Sequence, residues 1–394
     1  MAPISLSANG TVSGPMGDAA PGPGGGAIIL DGYSRAYVLD LARTLARAAQ
    51  ERPLAQGMSG ESFRTTALSA GRFAVAVTIR DSVGRAGLDL EPLRLDREDG
   101  RRAKAVAGMA LSRLSPKTAL AFGFSQSGQM LRQQLAGHHD DAFLVAREPT
   151  GRPGFHPDSD TSIGLRHELG PVAVTLTSER GKVRLPGLRD PSYSPGYKLD
   201  SLTFDRRIGP ARLSLGASRL SEGSTILGAR FADVFASGGS RTLFADASAK
   251  VGLGAGLEAF AGYRRGWTSL AGTGPLVEKG RLRTEAFAFD LSRAGLFAAS
   301  DRLAVRLMQP LRVASGGFDL DMPVGYDYAT GTARLERRFF NLAPTGREID
   351  YEVAYGLELL GGRLDVNGFL RTDPGHVEAM GNDIGAAIRF TLGR

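Results

Sequence analysis

Residues 123–128 read Gly-Phe-Ser-Gln-Ser-Gly, the segment of this chain that comes nearest to a serine nucleophile. A nucleophilic serine sits in a Gly-x-Ser-x-Gly turn joining a strand to a helix, where the bend presents its hydroxyl to a histidine. Here Ser127 stands in place of the last glycine, and the segment reads as a solvated loop at a strand end. Five histidines are available for base or metal chemistry: His138, His139, His156, His167 and His376. His138 and His139 precede Asp140 and Asp141, but adjacent residues rarely converge on one ion and no spacing supplies a third ligand, so no metal site is expected. The Gly-x-Gly-x-Gly of residues 252–256 lacks the following helix that a phosphate loop needs and reads as a hairpin turn. Glu348, Asp350 and Glu352 form an acidic row that Arg334 and Arg338 could face. A ladder of ion pairs in a hydrated interior accounts for that row without catalysis. Neither catalytic residues nor a cofactor are expected.

The elements that position these side chains are strands. In residues 302–313 one parity carries Leu303, Val305, Leu307, Leu311 and Val313, and the other carries Arg302, Arg306 and Arg312. Ile349, Tyr351, Val353, Tyr355 and Leu357 alternate in the same way with Glu348, Asp350, Glu352 and Glu358. A period of two marks a strand with two unlike faces. The apolar parity is modest in size, as in Leu243, Ala245, Ala247, Ala249 and Val251, then Leu257, Ala259, Ala261 and Tyr263. A close-packed water-soluble core demands larger side chains, whereas lipid tolerates such a surface. Asp246, Ser248, Lys250, Glu258 and Arg264 then line a hydrated lumen. Tyr263, Trp267, Tyr326, Tyr328, Phe339 and Phe340 are placed near strand ends, where aromatic girdles sit.

Composition agrees. The 394 residues include 53 Gly, suited to many turns, and no Cys, which removes disulfides and thiolate metal sites. The net charge of +7 is spread through strands and interleaved with acids, so it gives no nucleic-acid patch. No stretch approaches the roughly 20 apolar residues of a membrane helix. Residues 1–23 lack the basic and apolar regions of a signal peptide, so export is conditional on a missing N-terminal part.

In chain order, residues 1–60 read as a linker or passenger remnant, with one short strand over 28–39 and a short helix near 40–50, where Leu41, Leu45 and Ala48 share a face. Residues 61–170 supply additional strands and a long loop with a short helix around 129–135; residues 171–394 form the barrel domain. Short turns alternate with long polar loops, the design of an outer-membrane barrel. Keeping the rims consistent requires a strand over 317–325, with Phe318, Leu320 and Met322 on one face and Asp319 and Asp321 on the other. Even counts of twelve, fourteen or sixteen strands satisfy the rims.

Several segments carry a resemblance. Residues 218–231 read Ser-Arg-Leu-Ser-Glu-Gly-Ser-Thr-Ile-Leu-Gly-Ala-Arg-Phe, and 263–268 read Tyr-Arg-Arg-Gly-Trp-Thr. Residues 327–331 read Asp-Tyr-Ala-Thr-Gly, and 341–350 read Asn-Leu-Ala-Pro-Thr-Gly-Arg-Glu-Ile-Asp. From about Asp31 onward the chain resembles the C-terminal, autotransporter-like barrel region of subtilisin-family serine peptidases of sphingomonad-type bacteria. The resemblance implies an all-β fold, an antiparallel transmembrane β-barrel of about twelve strands, or up to sixteen by counting, with a short N-terminal linker or helix. It implies an outer-membrane translocator or anchor with lipid, the barrel-assembly machinery and an N-terminal peptidase passenger as partners. The family's catalytic Asp, His and Gly-Thr-Ser-Met-Ala motifs are absent, so no protease activity is expected. A porin-like solute channel and a non-functional piece of a split peptidase gene are the alternatives.

Overall fold

A computed structural model describes residues 10–12, 14–19, 26–30, 35–40, 45–47, 62–81, 103–137, 143–155, 157–184, 195–231, 238–272, 276–359 and 361–392. Four short strands come first: β1 (Gly10–Val12), β2 (Gly26–Leu30), β3 (Ala36–Asp40) and β4 (Leu45–Arg47). They form two small pairs, β1 with β4 in parallel and β2 with β3 antiparallel. The helix expected over 40–50 is therefore overturned where it is described, since Leu45–Arg47 is extended and hydrogen-bonded to β1. Three residues per face are too few for a helical pattern to resist an available strand partner. The single strand expected over 28–39 is likewise two paired strands.

One sheet holds the remaining sixteen strands. They are β5 (Ser62–Ala70), β6 (Phe73–Asp81), β7 (Ala103–Ser115), β8 (Thr118–Phe124), β9 (Pro157–Leu169), β10 (Val172–Val183), β11 (Gly196–Ile208) and β12 (Ala211–Glu222). There follow β13 (Ser240–Gly254), β14 (Leu257–Leu270), β15 (Val277–Ala294), β16 (Arg302–Asp327), β17 (Thr332–Asn341), β18 (Ile349–Leu359), β19 (Gly362–Thr372) and β20 (Asp383–Leu392). Consecutive strands pair antiparallel throughout, except that β18 pairs β16 while β17 pairs β16 alone. Residue 171 falls in the turn between the paired strands β9 and β10, so one sheet runs through it.

The faces are the inverse of a water-soluble sandwich. Leu176, Phe204, Leu215, Leu243, Trp267, Phe289 and Val305 are exposed, whereas Thr177, Asp205, Thr242, Arg264, Asp290 and Arg306 on the opposite parity are buried. A charged face turned inward and an apolar face turned outward is the construction of a transmembrane β-barrel. The sheet curls far enough for one internal segment to touch Glu179 on β10 and Glu352 on β18.

β16 departs from the expected simple alternation. Its first half pairs with β18 and its second half with β17, so β16 and β17 form a hairpin arm inside one long connection. The expected strand over 317–325 exists with the stated faces, Phe318, Leu320 and Met322 being buried, but it continues β16 instead of standing alone. Between Glu285↔Arg312 and Phe287↔Gln309 two residues of β16 oppose one of β15. This bulge falls at Pro310, which has no N–H to give to the ladder. A one-residue slip reverses the faces. Leu311 and Val313, expected on the outer face with Leu303 and Val305, are consequently buried inside.

Fifteen strands thus form the continuous path, with β17 beside it. Its two edges, β5 and β20, both run from the long-loop rim to the short-turn rim, as their pairings with β6 and β19 show. Antiparallel closure of this path needs one more strand, because lipid cannot satisfy a free strand edge.

Candidate functional site

The lumen is occupied by the chain's own β8–β9 connection. Helix α1 (Gly128–Ala136) starts where Ser127 caps it, accepting the Met130 N–H at 3.2 Å, and stops at Gly137 in the left-handed conformation, φ +63°. Leu131 is fully buried, and the Gly128 N–H donates to Glu179 Oε2 at 2.7 Å, tying the helix to β10. Farther along, Glu352 on β18 accepts from the N–H groups of Leu144, Val145 and Ala146 at 2.7, 2.9 and 2.8 Å, and from the Asn367 amide at 2.8 Å. Arg306 donates to the Ala146 carbonyl at 2.9 Å, stacks on Phe143 at 4.2 Å and forms a fork with Asp290. A segment remote in sequence is thereby fastened to strands on several sides of the barrel.

The wall beneath it carries a paired charge lattice. Arg264, wholly buried, holds Asp246 at 2.9 and 3.0 Å and stacks on Phe244 at 3.8 Å. Arg166 pairs with Asp205 at 2.6 Å, and Glu258 with Arg302 and Lys250 at 2.7 and 3.2 Å. Between α1 and β11–β16 a cavity of about 90 Å³ remains, room for several waters, and a second of about 20 Å³ adjoins it. The sequence expectation that Asp246, Ser248, Lys250, Glu258 and Arg264 face inward is met: Asp246 and Ser248 line the second cavity, Lys250 and Glu258 the first, and Arg264 is enclosed.

The long-loop end of the lumen is apolar instead. Leu220, Phe244, Leu282, Leu311 and Val313 turn inward and pack with Ile226 and Leu227 of the β12–β13 loop and with Met16 from the N-terminal segment. Glu222, fully enclosed, fixes that loop by accepting from the Thr225 hydroxyl, the Leu227 and Gly228 N–H groups and the Ser240 hydroxyl. Gly228 has φ +77° and its absent Cβ would lie 2.5 Å from Phe155, so only glycine fits. A signal in the sequence was there: Leu220, Phe244 and Leu282 are large apolar residues on the charged parity near the long loops.

Asp18 seats the N-terminal segment on the same rim. Its carboxylate accepts from the Thr345 N–H and hydroxyl at 2.7 and 2.6 Å, the Gly346 N–H at 3.2 Å and the Glu378 N–H at 2.9 Å. Burial opposes its charge, but these donors outweigh it and hold the carboxyl below its ordinary value. Beside it, buried His376 accepts the Glu348 N–H on Nδ1 at 2.9 Å, leaving Nε2 to donate to the Leu311 carbonyl at 3.2 Å. Burial pushes its pKa from 6.5 down to about 4; Glu348 and Asp18 pull it up and Arg312 pushes it down. A folded pKa below the unfolded one means that its contribution to stability is complete above about 6.5 and fades as the pH falls toward 4. Melting of the barrel between pH 7 and 4 should therefore show an acid-labile component that His376→Gln lacks. Equal pH profiles for the two proteins would refute the assignment.

The remaining sequence candidates sort as follows. Ser125 precedes the short helix expected around 129–135, which the structure shows, and its φ is +50°, yet its N–H is engaged with the Asp160 carbonyl and no described histidine contacts it. His167 meets Thr118 at 2.9 Å, while His138, His139, His156, Asp140 and Asp141 lie outside the described residues. Residues 252–256 form the β13–β14 turn. Glu348 and Asp350 face Arg371 at 2.6 and 3.5 Å, not Arg334 and Arg338, because β17 is displaced onto the hairpin arm. The same displacement puts Tyr326, Tyr328 and Phe339 on that arm, and Phe340 is buried in the apolar cluster. Tyr263 lies in the middle of β14, so these aromatics do not form a common girdle.

No family model matches the chain, and no curated protein does. Among solved structures it is similar to the outer-membrane expressed OmpT of Vibrio cholerae, with 8% identity, 83% of this chain and 86% of that chain covered, and a TM-score of 0.44. A refined porin structure gives 10% identity, 84% and 91% coverage and a TM-score of 0.40. OprB of Pseudomonas putida gives 12% identity, 81% and 82% coverage and a TM-score of 0.40. At such scores the likeness carries no functional weight, and the barrel assignment rests on the chain's own strand pairing and faces.

Proposed function

We propose that this chain is the outer-membrane anchor of an autotransporter-type protein: a non-catalytic barrel that holds a passenger joined ahead of it at the cell surface. The occupied lumen carries this reading. α1 and residues 143–146 are bonded to the wall, the long-loop end is packed with apolar side chains, and the N-terminal segment is seated at that rim. A barrel that conducts solute freely leaves a through-path, whereas here, among the described residues, α1 and residues 143–146 stand inside the barrel with cavities of about 90 and 20 Å³ against the wall. The resemblance to the barrel region of subtilisin-family peptidases names the passenger class, and insertion by the barrel-assembly machinery follows from the same resemblance.

The barrel purified from outer membranes should migrate as a compact, heat-modifiable band and remain electrically silent in planar bilayers. An epitope ahead of residue 14 should be cut by protease added to intact cells. Steady large conductance of the unaltered protein would favour the solute-pore alternative, and a freely soluble monomer would exclude both.

A further inference from the structure

At one place in the lumen two arginines stand apart from the paired charge lattice. Of the acids lining the larger cavity, Asp205 is held by Arg166, Glu258 by Arg302 and Lys250, Asp290 by Arg306, and Glu148 accepts from the Thr150 hydroxyl. Arg132 on α1 and Arg212 on β12 line the same cavity, and among the described residues neither guanidinium has an ion pair or hydrogen bond. Arg132 and Arg212 are half-buried, and their N–H donors face a cavity in which no described residue accepts from them.

A second observation points into the same space. The smaller cavity shares Arg132, Ser214 and Ser248 with the larger one, and it is lined by Gln129. Gln129 is 5% exposed and its Nε2 has no hydrogen-bond partner. A buried amide of this kind costs about 1–3 kcal/mol unless something accepts from it. Ser214 and Ser248 are register partners on β12 and β13, so their hydroxyls sit side by side between the two spaces.

We infer that this cleft binds a small oxyanion of the phosphate type, held by the Arg132 and Arg212 guanidiniums, with the Gln129 amide and the Ser214 and Ser248 hydroxyls as further donors. Arginine forks match tetrahedral oxyanions, and about 90 Å³ admits a five-atom anion with accompanying water. The site does not depend on the anchor reading, because an anchored and a conducting barrel would both contain it.

The test uses the full chain folded in detergent micelles, with inorganic phosphate as the probe and chloride at equal ionic strength as the control. Phosphate should raise the temperature at which the heat-modifiable band unfolds, saturably, and should show saturable broadening of its phosphorus resonance. The Arg132→Gln, Arg212→Gln double variant should bind about tenfold more weakly or worse. Lys117→Gln, which removes one charge from an exposed turn, should behave as wild type. An equal response to chloride, an unaltered response in the double variant, or no saturable broadening with the wild-type chain would each overturn the site. The wild-type arms decide the matter even where the double variant fails to fold.

Discussion

Replacing Glu352 by alanine should open the barrel. The N–H groups of residues 144–146 and the Asn367 amide would lose their common acceptor, and each buried donor left unpaired costs roughly 1–3 kcal/mol. The Arg306 contacts to Ala146 and Phe143, and the packing of Ala146 against Ala288 and Met308, would still hold that segment to the wall. Bilayer recordings should then show frequent conducting events where the wild-type chain is silent. Glu352→Gln keeps one acceptor oxygen and should fall between the two. If alanine and wild type are equally closed, the segment at 143–146 is not what blocks the lumen.

The second large effect is at Glu222. Its buried carboxylate lies beside an apolar cluster and accepts from two backbone and two hydroxyl donors. Glu222→Ala should cost about 2–6 kcal/mol from the Leu227 and Gly228 amides alone, at the usual cost of orphaned buried N–H groups. The expected result is a lower unfolding temperature of the compact band and rapid proteolysis within residues 223–231. Glu222→Gln should be milder. An unchanged melting temperature for the alanine variant would mean that the long-loop apolar cluster does not depend on this loop.

Much of the wall was legible in the sequence because a strand has only two faces. Asp290 against Phe289, or Arg264 against Tyr263, follows from parity alone, and both pairs fall inside and outside as the alternation requires. Legibility stopped where a single extra residue changes the outcome. Pro310 marks the bulge, but nothing in one sequence tells that β15 fails to bulge in compensation, so alternation alone places Leu311 and Val313 on the outer face although they lie inside. Alternation likewise sets Arg334 and Arg338 opposite the acidic row and misses for a related reason: pairing depends on which strand lies alongside, and β17 leaves the wall.

The sequence by itself determined the all-β class, the polar interior, the hairpin turns and the lack of peptidase motifs, since these depend on neighbours in the chain. Tertiary structure decided what fills the barrel. Glu352 and residues 144–146 are more than 200 positions apart, as Asp18 and Thr345 are more than 300 apart. Local periodicity carries no information about contacts at such separations. They arise because buried N–H groups must find acceptors, and the curled sheet brings these carboxylates within reach.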